Sequence, residues 1–347
     1  MPPNIKISVV LLCYNQERFI IEALWAAIRQ NDTNFEIIVS DDASTDSTDE
    51  KIANFLAEHP AANVSYVRNP TNLGLVANFW SSIERTTGDV IVAMAGDDIS
   101  LPDRVRMVRR HFETNTRSMA LYASADVIDV AGCPTGRKLS SCQPGGSAPN
   151  RISYADLRPA GNLLAGRPFC GGAASYRKEV FTKFPSLIGK PIHAEDEICM
   201  LRAALLGDVD FSPSVQLAWR LHGLNQSFGL GPYRGSRQAE MYERQANMCE
   251  QFIADLEVAR NWLGESSDAE CGRLRLTFVV MQAEWLLWAA CHLPGVAVVR
   301  WASALRNLSV ALGSWPKAMR HAWRPTLKMI TPYPLQGIVV ARHIDGR

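Results

Sequence analysis

Residues 7–40, ISVVLLCYNQERFIIEALWAAIRQNDTNFEIIVS, decide the fold of this chain. They open with ISVVLLC (7–13), a largely apolar run rich in β-branched side chains, which is typical of a parallel strand covered on both faces. Residues 17–30 then place apolar side chains at helical spacing, and FEIIVS (35–40) follows a polar turn as a second strand. The segment therefore predicts a β-α-β unit.

The same alternation continues after this unit. The next predicted elements are a helix over 47–58, a strand over 64–68, a helix over 74–86 and a strand over 90–94. Ser47 and Glu50 have the spacing of a capping box at the start of the first of these helices. Repeated β-α units of this length predict an α/β fold with a mostly parallel sheet flanked by helices.

The middle of the chain is less regular. A helix is predicted from Pro102, whereas residues 133–150 are rich in Pro and Gly without periodicity and predict a loop. Strand-like stretches near 170–177 and 214–222 surround a predicted helix at 196–206. We expect this region to complete the α/β domain, which would cover residues 1–235.

Residues 236–347 have a different pattern. An apolar helical stripe over 236–263 ends at Gly264, and further helices are expected to about residue 330. The predicted C-terminal region is therefore helical, basic and rich in tryptophan.

Composition restricts the class of protein. The net charge is +1, from 36 basic and 35 acidic residues, which argues against a polyanion-binding surface over the whole chain. None of the eight cysteines forms a Cys-x-x-Cys pair, so we expect free thiols in a reducing compartment. The N-terminus lacks a signal-peptide pattern, and we expect a cytoplasmic protein.

The C-terminal region leaves a membrane interpretation open. Residues 276–299 are long enough to span a bilayer, but Gln282, Glu284, His292 and Pro294 favour a buried helix pair.

Residues 300–347 carry eight Lys or Arg residues interleaved with three tryptophans, Trp301, Trp315 and Trp323. This pattern suits peripheral binding to the anionic inner face of the plasma membrane, or a solvated basic face with tryptophans in the core. No nucleic-acid-binding module accompanies the charge, so nucleic acid is not expected as a partner.

Polar residues follow three predicted strands at the point where each strand ends. They are Tyr14-Asn15, Asp41-Asp42 and Asp97-Asp98. Ligands of doubly wound sheets bind beyond these strand ends. Acidic residues there would repel a nucleoside diphosphate unless they contact its ribose and base or hold a bridging cation. The turn after the first strand lacks glycine, which argues against a dinucleotide-binding dehydrogenase and a nucleotidyltransferase.

Six segments in order resemble those of family 2 glycosyltransferases with the GT-A fold, of the bacterial polysaccharide or O-antigen type. They are CYNQERFI (13–20), VSDDASTDST (39–48), NPTNLGLVANFW (69–80), MAGDDISLPDRV (94–105), HAEDEICMLRAALLG (193–207) and WRLHGLNQS (219–227). Because several motifs match in sequence, the resemblance is more specific than any one of them. It implies a GT-A catalytic domain over residues 1–235.

The resemblance also implies a site for the nucleotide-sugar donor. Tyr14, Asn15 and Glu17 would form the wall around the donor base, and Asp41 would bind that base. The other expected donor-binding residues are Asn72, Gly74, Asp98 and Arg220. For Arg220, pairing with phosphate and pairing with a surface acid remain equal alternatives.

A divalent cation, Mg²⁺ or Mn²⁺, is the implied cofactor. Asp97 would be its ligand, with His222 as a second metal or diphosphate contact. The family often has a carboxylate two positions before Asp97, where this chain has Ala95. Phosphate oxygens, water, Asp98 or His222 would then have to complete the coordination shell.

Asp196 is the expected catalytic base. It lies in the first turn of a predicted helix, where the helix dipole favours an ionised carboxylate that can accept a proton. Glu195 would orient the acceptor, and Gly171 and Gly172 would let a sugar approach the backbone, although a bulge explains the two glycines equally well.

The resemblance therefore implies an inverting, metal-dependent hexosyl- or deoxyhexosyltransferase. It would move a sugar from a nucleoside-diphosphate sugar to a glycan or lipid-linked acceptor during cell-surface polysaccharide synthesis. The alternative, which Ala95 motivates, is a non-catalytic nucleotide-sugar-binding or scaffold protein of a glycan assembly complex.

Overall fold

Ten strands and nine helices occur in the part of the chain that the computed structural model describes. This part comprises residues 5–60, 63–141, 150–157, 169–187, 189–192, 194–223, 225, 236–264, 267–290, 297–313 and 317. The strands are β1 (Ile7–Cys13), β2 (Phe35–Asp41), β3 (Val64–Arg68), β4 (Val90–Ala95), β5 (Ile99–Ser100), β6 (Ser118–Ile128), β7 (Pro134–Leu139), β8 (Arg151–Ile152), β9 (Ala174–Arg177) and β10 (Asp208–Arg220). The helices are α1 (Ile20–Ile28), α2 (Thr48–Glu58), α3 (Leu75–Ile83), α4 (Arg104–Thr114), α5 (Glu179–Thr182), α6 (Glu195–Leu206), α7 (Ser236–Leu263), α8 (Asp268–Ala290) and α9 (Ala297–Leu312).

The strands form one mostly parallel sheet in the order β3-β2-β1-β4-β9-β6-β10-β5. Strand β1 pairs in parallel with β2 and β4, and β6 pairs in parallel with β10. Strand β9 is antiparallel to both β4 and β6, so the long strands on either side of it point the same way. The predicted α/β class and the helical C-terminal extension are confirmed.

Strand β1 lies at the centre of the main apolar core. Most of its side chains are buried, as are the inward faces of β2 and β4 and those of α1, α2 and α4. Burial on both faces explains the continuous apolar run of β1, since a covered parallel strand has no solvent side. This packing places the polar residues that follow β1, β2 and β4 at one edge of the sheet.

Four strands of the described part of the chain were not predicted from the sequence: the two-residue strands β5 and β8, and the longer strands β6 and β7. Strand β6 is rich in alanine and serine, which have little β-propensity, and its pairing with β9 and β10 stabilises the extended conformation. Strand β7 lies inside the segment predicted to be a loop, and that prediction is wrong for residues 134–139. Most of β7 is exposed, so no apolar alternation marks it.

The predicted capping box at α2 is also wrong. Ser47 makes no side-chain capping bond, and its own N–H donates to Glu17 Oε2 at 3.0 Å. The carboxylate of Asp46 accepts from the N–H of Thr48 at 3.0 Å instead.

The chain divides into two compact units. The first comprises Met1–Lys190 and Glu195–Leu230, and the second Pro191–Ala194 and Gly231–Arg347. In the second unit, α7 packs on α8 through the Phe252 and Phe278 rings, whose centroids are 4.8 Å apart.

No helix in the described part of the chain is long and apolar enough to cross a membrane. Most of the basic segment 300–347, including Trp315 and Trp323, lies outside the described residues.

Candidate active site

A cleft of about 1200 Å³ opens in the first unit beyond the carboxyl ends of β1 and β4. Eleven of the residues predicted for the site line it: Tyr14, Asn15, Glu17, Asn72, Gly74, Asp97, Asp98, Gly171, Gly172, Glu195 and His222. Asp41, Asp196 and Arg220 are not among its described lining residues. The fold therefore gathers side chains that are up to about 200 positions apart in the chain.

Hydrogen bonds join the loop after β1 to the loop after β2. Asn15 adopts a left-handed backbone conformation with φ of 53°, and its N–H donates to Ser44 Oγ at 2.9 Å. Its side-chain Oδ1 accepts from the N–H of Thr45 at 2.8 Å. The N–H of Glu17 donates to Asp46 Oδ2 at 3.1 Å. One wall of the cleft is thus held by bonds between two loops.

Asp42 organises a second part of this wall. Its Oδ1 accepts from the N–H of Leu73 and its Oδ2 from the N–H of Gly74, each at 2.8 Å. Gly74 has φ of +81°, a conformation that residues with a side chain rarely adopt, and Asn72 Oδ1 also accepts from its N–H at 3.1 Å. Asp42, which directly follows Asp41 in the chain, therefore shapes the loop that precedes α3.

Asp41 itself is fully buried at the end of β2. Its carboxylate accepts from the N–H and hydroxyl of Ser44 and pairs with Arg68 Nε at 3.4 Å. Burial raises its pKa, although Ser44 and Arg68 act in the opposite direction. The structure thus places Asp41 behind the cleft surface, whereas Asp42 lines the cleft.

Asp97 and His222 meet at the cleft. His222 Nε2 lies 2.9 Å from Asp97 Oδ2, and the imidazole ring stacks on Phe19 with centroids 5.0 Å apart. The pair joins the turn after β4 to the segment after β10. The sequence marked both residues, but their contact depends on the pairing of distant strands.

Asp98 and Arg220 form the support beneath this pair. The main-chain N–H of Arg220 donates to Asp98 Oδ1 at 2.9 Å, and its Nε donates to the carbonyl of Asp97 at 2.8 Å. The Arg220 side chain is buried against Phe19 and also pairs with Glu22. Pairing with an acid was one of the two alternatives expected for Arg220, and the acid that it contacts is Glu22. Burial, and then the charge of Asp97, raise the pKa of Asp98.

Gly171 and Gly172 lie between two carboxylates. They begin a short 3₁₀ turn, Gly171–Ala173. A methyl group added at Gly171 would lie 2.7 Å from Asp196 Oδ2, and one added at Gly172 would lie 3.1 Å from Asp98 Oδ2. Glycine therefore serves close approach here, most tightly at Gly171, because the backbone φ is not in the left-handed region at either position.

Asp196 lies in the first turn of α6, as predicted, with its Oδ1 accepting from the N–H of Glu197 at 2.9 Å. Burial raises its pKa to about 6, so burial outweighs the helix N-terminus that was expected to favour ionisation. Burial and the charge of Asp196 raise the pKa of Glu195 and Glu197, in each case to about 8.

The side chains present suit a divalent cation only in part. Asp97 supplies oxygen and His222 supplies nitrogen at adjacent positions, both acceptable ligands for Mn²⁺ and, for the oxygen, Mg²⁺. The described residues contain no group of three or more potential ligands. A cation at this pair would therefore need ligands from the diphosphate and from water.

The sequence did not mark Asp129 and Val130 as cleft residues. They lie in the turn that follows β6, and Val130 is 42% exposed. Because β6 itself was not predicted, no sequence signal placed its carboxyl end beside those of β1 and β4. Trp219 near the end of β10 and Leu221 directly after that strand also line the cleft.

Known proteins share the sequence and fold described above. EpsE of Bacillus subtilis (strain 168), which is named as a glycosyltransferase, is 30% identical over 176 residues, covering 51% of this chain and 58% of EpsE. An uncharacterized glycosyltransferase of Haemophilus influenzae is 25% identical over 242 residues, covering 69% of this chain and 72% of that protein. The chain thus spans less than two thirds of the length of EpsE.

Staphylococcus aureus TarS, residues 1–349, has a similar structure. It superposes with a TM-score of 0.57 at 17% identity over 98% of this chain and 88% of TarS. Another TarS structure, in complex with UDP-GlcNAc, superposes with a TM-score of 0.52 at 14% identity, covering 89% of this chain and 92% of TarS. At such low identity, the two superpositions show a shared fold alone. The sequence profile of glycosyl transferase family 2 matches residues 8–184, slightly more than half of the chain, and the chain therefore belongs to that family.

Proposed function

We propose that the chain is an inverting, cation-assisted glycosyltransferase. It transfers a hexose or deoxyhexose from a nucleoside-diphosphate sugar to a hydroxyl of a glycan or lipid-linked acceptor in bacterial cell-surface polysaccharide synthesis, of the O-antigen type. One observation carries the proposal: the carboxylates of Asp98 and Asp196 flank the same glycine turn beside the cleft, and Asp98 directly follows Asp97, which contacts His222.

The proposed step is a single displacement. Asp196 accepts the proton of the acceptor hydroxyl while that oxygen bonds to the anomeric carbon. The bond from this carbon to the diphosphate oxygen breaks, and the nucleoside diphosphate leaves with the electron pair. Attack opposite the leaving group inverts the configuration at the anomeric carbon. Mg²⁺ or Mn²⁺ at Asp97 and His222 would offset the charge gained by the diphosphate.

Donor binding is proposed for the wall formed by the loops after β1 and β2. Tyr14, 40% exposed at the cleft, would stack on the base, next to Asn15 and Glu17. Asp41 would act from behind this wall by holding Ser44. The shared fold with TarS, whose structure contains UDP-GlcNAc, supports a nucleotide sugar as the donor. We propose residues 1–235 as the catalytic domain.

A donor panel tests the proposal. The full chain is incubated with UDP-, GDP- and dTDP-linked sugars and Mn²⁺ or Mg²⁺, and nucleotide release and thermal shift are measured. We expect one nucleotide class to raise the melting temperature and to be released as the diphosphate, faster when acceptor glycans are added. If no donor binds or reacts, the proposed glycosyltransferase activity is refuted.

The alternative is a nucleotide-sugar-binding protein without catalysis, for which Ala95 at the end of β4 is the motivating feature. The same panel separates the two: a thermal shift without nucleotide release favours the binding protein, and release favours the transferase.

We also propose a peripheral position on the inner face of the plasma membrane. Trp262, Leu276 and Val310 of the C-terminal helices are exposed, which supports contact with an interface. Co-sedimentation of the full chain with phosphatidylglycerol vesicles, weakened at high salt, is the expected result. Equal recovery without vesicles would refute this position.

A further inference from the structure

Arg104 is a fully buried cation that no step of the proposed reaction uses. It is the first residue of α4, and none of its surface is exposed to solvent. A buried guanidinium is costly unless carbonyl oxygens or carboxylates surround it, so its contacts indicate what the chain gains from it.

The Nη2 atom of Arg104 binds three carbonyl groups from adjoining segments. It donates to Ala93 in β4 at 2.8 Å, to Gly172 in the glycine turn at 3.0 Å and to Ala174 at the start of β9 at 3.3 Å. One donor group therefore ties the glycine turn to the strand that leads into Asp97 and Asp98.

The turn that Arg104 holds separates two carboxylates of the site. Gly171 lies against Asp196 Oδ2 and Gly172 against Asp98 Oδ2, with room for no methyl group on the Asp196 side. The Arg104 charge also interacts favourably with Asp98, while burial lowers the Arg104 pKa to about 10, so it stays a cation at neutral pH. A shift of this turn would change the distance between Asp98 and Asp196.

We propose that Arg104 is a positioning residue for glycosyl transfer: it fixes the Gly171–Ala173 turn and thereby the spacing between Asp98 and Asp196. This inference rests on the proposed function. It assigns Arg104 no contact with either substrate.

Two substitutions at Arg104 and one at Arg109 test the inference. Arg104→Met removes the donors and the charge, and Arg104→Lys keeps the charge. Arg109→Met is the matched control, because Arg109 lies on the same helix and pairs with Asp32 at 2.8 Å, among residues that do not line the cleft. Each full-length variant is measured for melting temperature, nucleoside diphosphate affinity, and kcat and KM with the donor found in the panel.

We expect Arg104→Met to lower kcat by about 10- to 100-fold, as misplaced reacting groups do, with a much smaller change in nucleotide affinity. Arg104→Lys should restore most of the loss, and Arg109→Met should lower the melting temperature while leaving kcat within about 2-fold. An equal kcat loss in the Arg104→Met and Arg109→Met variants would overturn the inference. If Arg104→Met does not fold, Arg104→Lys decides: a 3- to 10-fold lower kcat, roughly, supports the inference, and an unchanged kcat overturns it.

Crystal structures separate this inference from the proposed function. The turn should be displaced by about 1 Å in an Arg104 variant and unmoved in Arg109→Met. An unmoved turn in the Arg104 variants would overturn the inference even if the wild-type chain transfers sugar. Absence of transfer by the wild-type chain with every donor would refute the proposed function, while the structures would still decide what Arg104 holds.

Discussion

Asp196 is the residue on which the proposed chemistry depends most directly. Asp196→Asn keeps the shape of the side chain but removes the proton acceptor, so kcat should fall by about 10²- to 10⁴-fold with little change in nucleotide affinity. Asp126→Asn is the matched control, since Asp126 is half exposed on β6 and pairs only weakly with Lys138 at 3.7 Å. Turnover of Asp196→Asn at the wild-type rate would remove Asp196 as the base.

The pH dependence of transfer should report the raised pKa of Asp196. Only the ionised carboxylate can accept a proton, so kcat should rise with pH through about 6, above the ordinary carboxyl value of 3.8. A kcat profile at saturating donor and acceptor measures this limb. A limb near pH 4 would show that the site leaves Asp196 as acidic as a solvated carboxyl group.

The pKa of Glu197 is also raised, so this residue should make the stability of the protein depend on pH. Its folded pKa of about 8 exceeds 4.5, so the unfolded chain releases this proton first and stability falls as pH rises between those values. Glu197→Gln cannot ionise and should melt higher than the wild type at pH 8, by roughly 2–4 °C per kcal/mol gained, but equally at pH 4. Glu240→Gln, at an exposed position, is the control. A difference independent of pH would contradict the shift.

At the scale of elements, the bonds between the loops after β1 and β2 can be weakened singly. Asn15→Ala removes the acceptor of the Thr45 N–H and places alanine at φ of 53°, and should cost about 2 kcal/mol of unfolding free energy. Asn15→Gly loses the same acceptor without the backbone strain, so it should cost less. Denaturant unfolding compares the two, and equal losses would mean that the left-handed conformation is not strained.

A substitution in helix α8 should raise the unfolding free energy instead of lowering it. A methyl group at Gly272 would meet no atom within 4 Å, and its φ is not positive. Gly272→Ala should therefore stabilise the helix by about 0.5–1 kcal/mol, because the unfolded chain loses freedom. Gly264→Ala, at φ of +73° after α7, should destabilise the protein. Thermal unfolding that gave both variants the same sign would contradict this assignment of backbone strain.

At the scale of the whole molecule, ligand and cation binding should appear as one linked stabilisation. A nucleoside diphosphate at about 100 times its Kd with Mn²⁺ should add about 2.7 kcal/mol to the unfolding free energy. EDTA should remove most of this gain if the diphosphate completes the shell of a cation at Asp97 and His222. His222→Ala should remove the cation-dependent part alone. An identical thermal shift in EDTA would contradict cation-assisted binding.

The sequence by itself determined the fold class and eleven of the residues that line the cleft. Apolar periodicity is a local signal, and in β1, α1 and β2 burial follows it directly. Polar residues at the ends of parallel strands must meet at one edge of the sheet, which is why Tyr14, Asn15, Asp97 and Asp98 were found without coordinates.

Only the tertiary structure decided the remaining features, because each depends on contacts between distant segments. Strand β6 has no strong local preference, and its neighbours in the sheet make it a strand. Asp41 and Asp42 are adjacent in sequence, yet the backbone turns one behind the cleft and the other into it. The raised pKa of Asp196 comes from burial, and the role of Arg104 from three carbonyls in separate segments. No pattern of residue types encodes such distances, since they arise when the sheet is assembled.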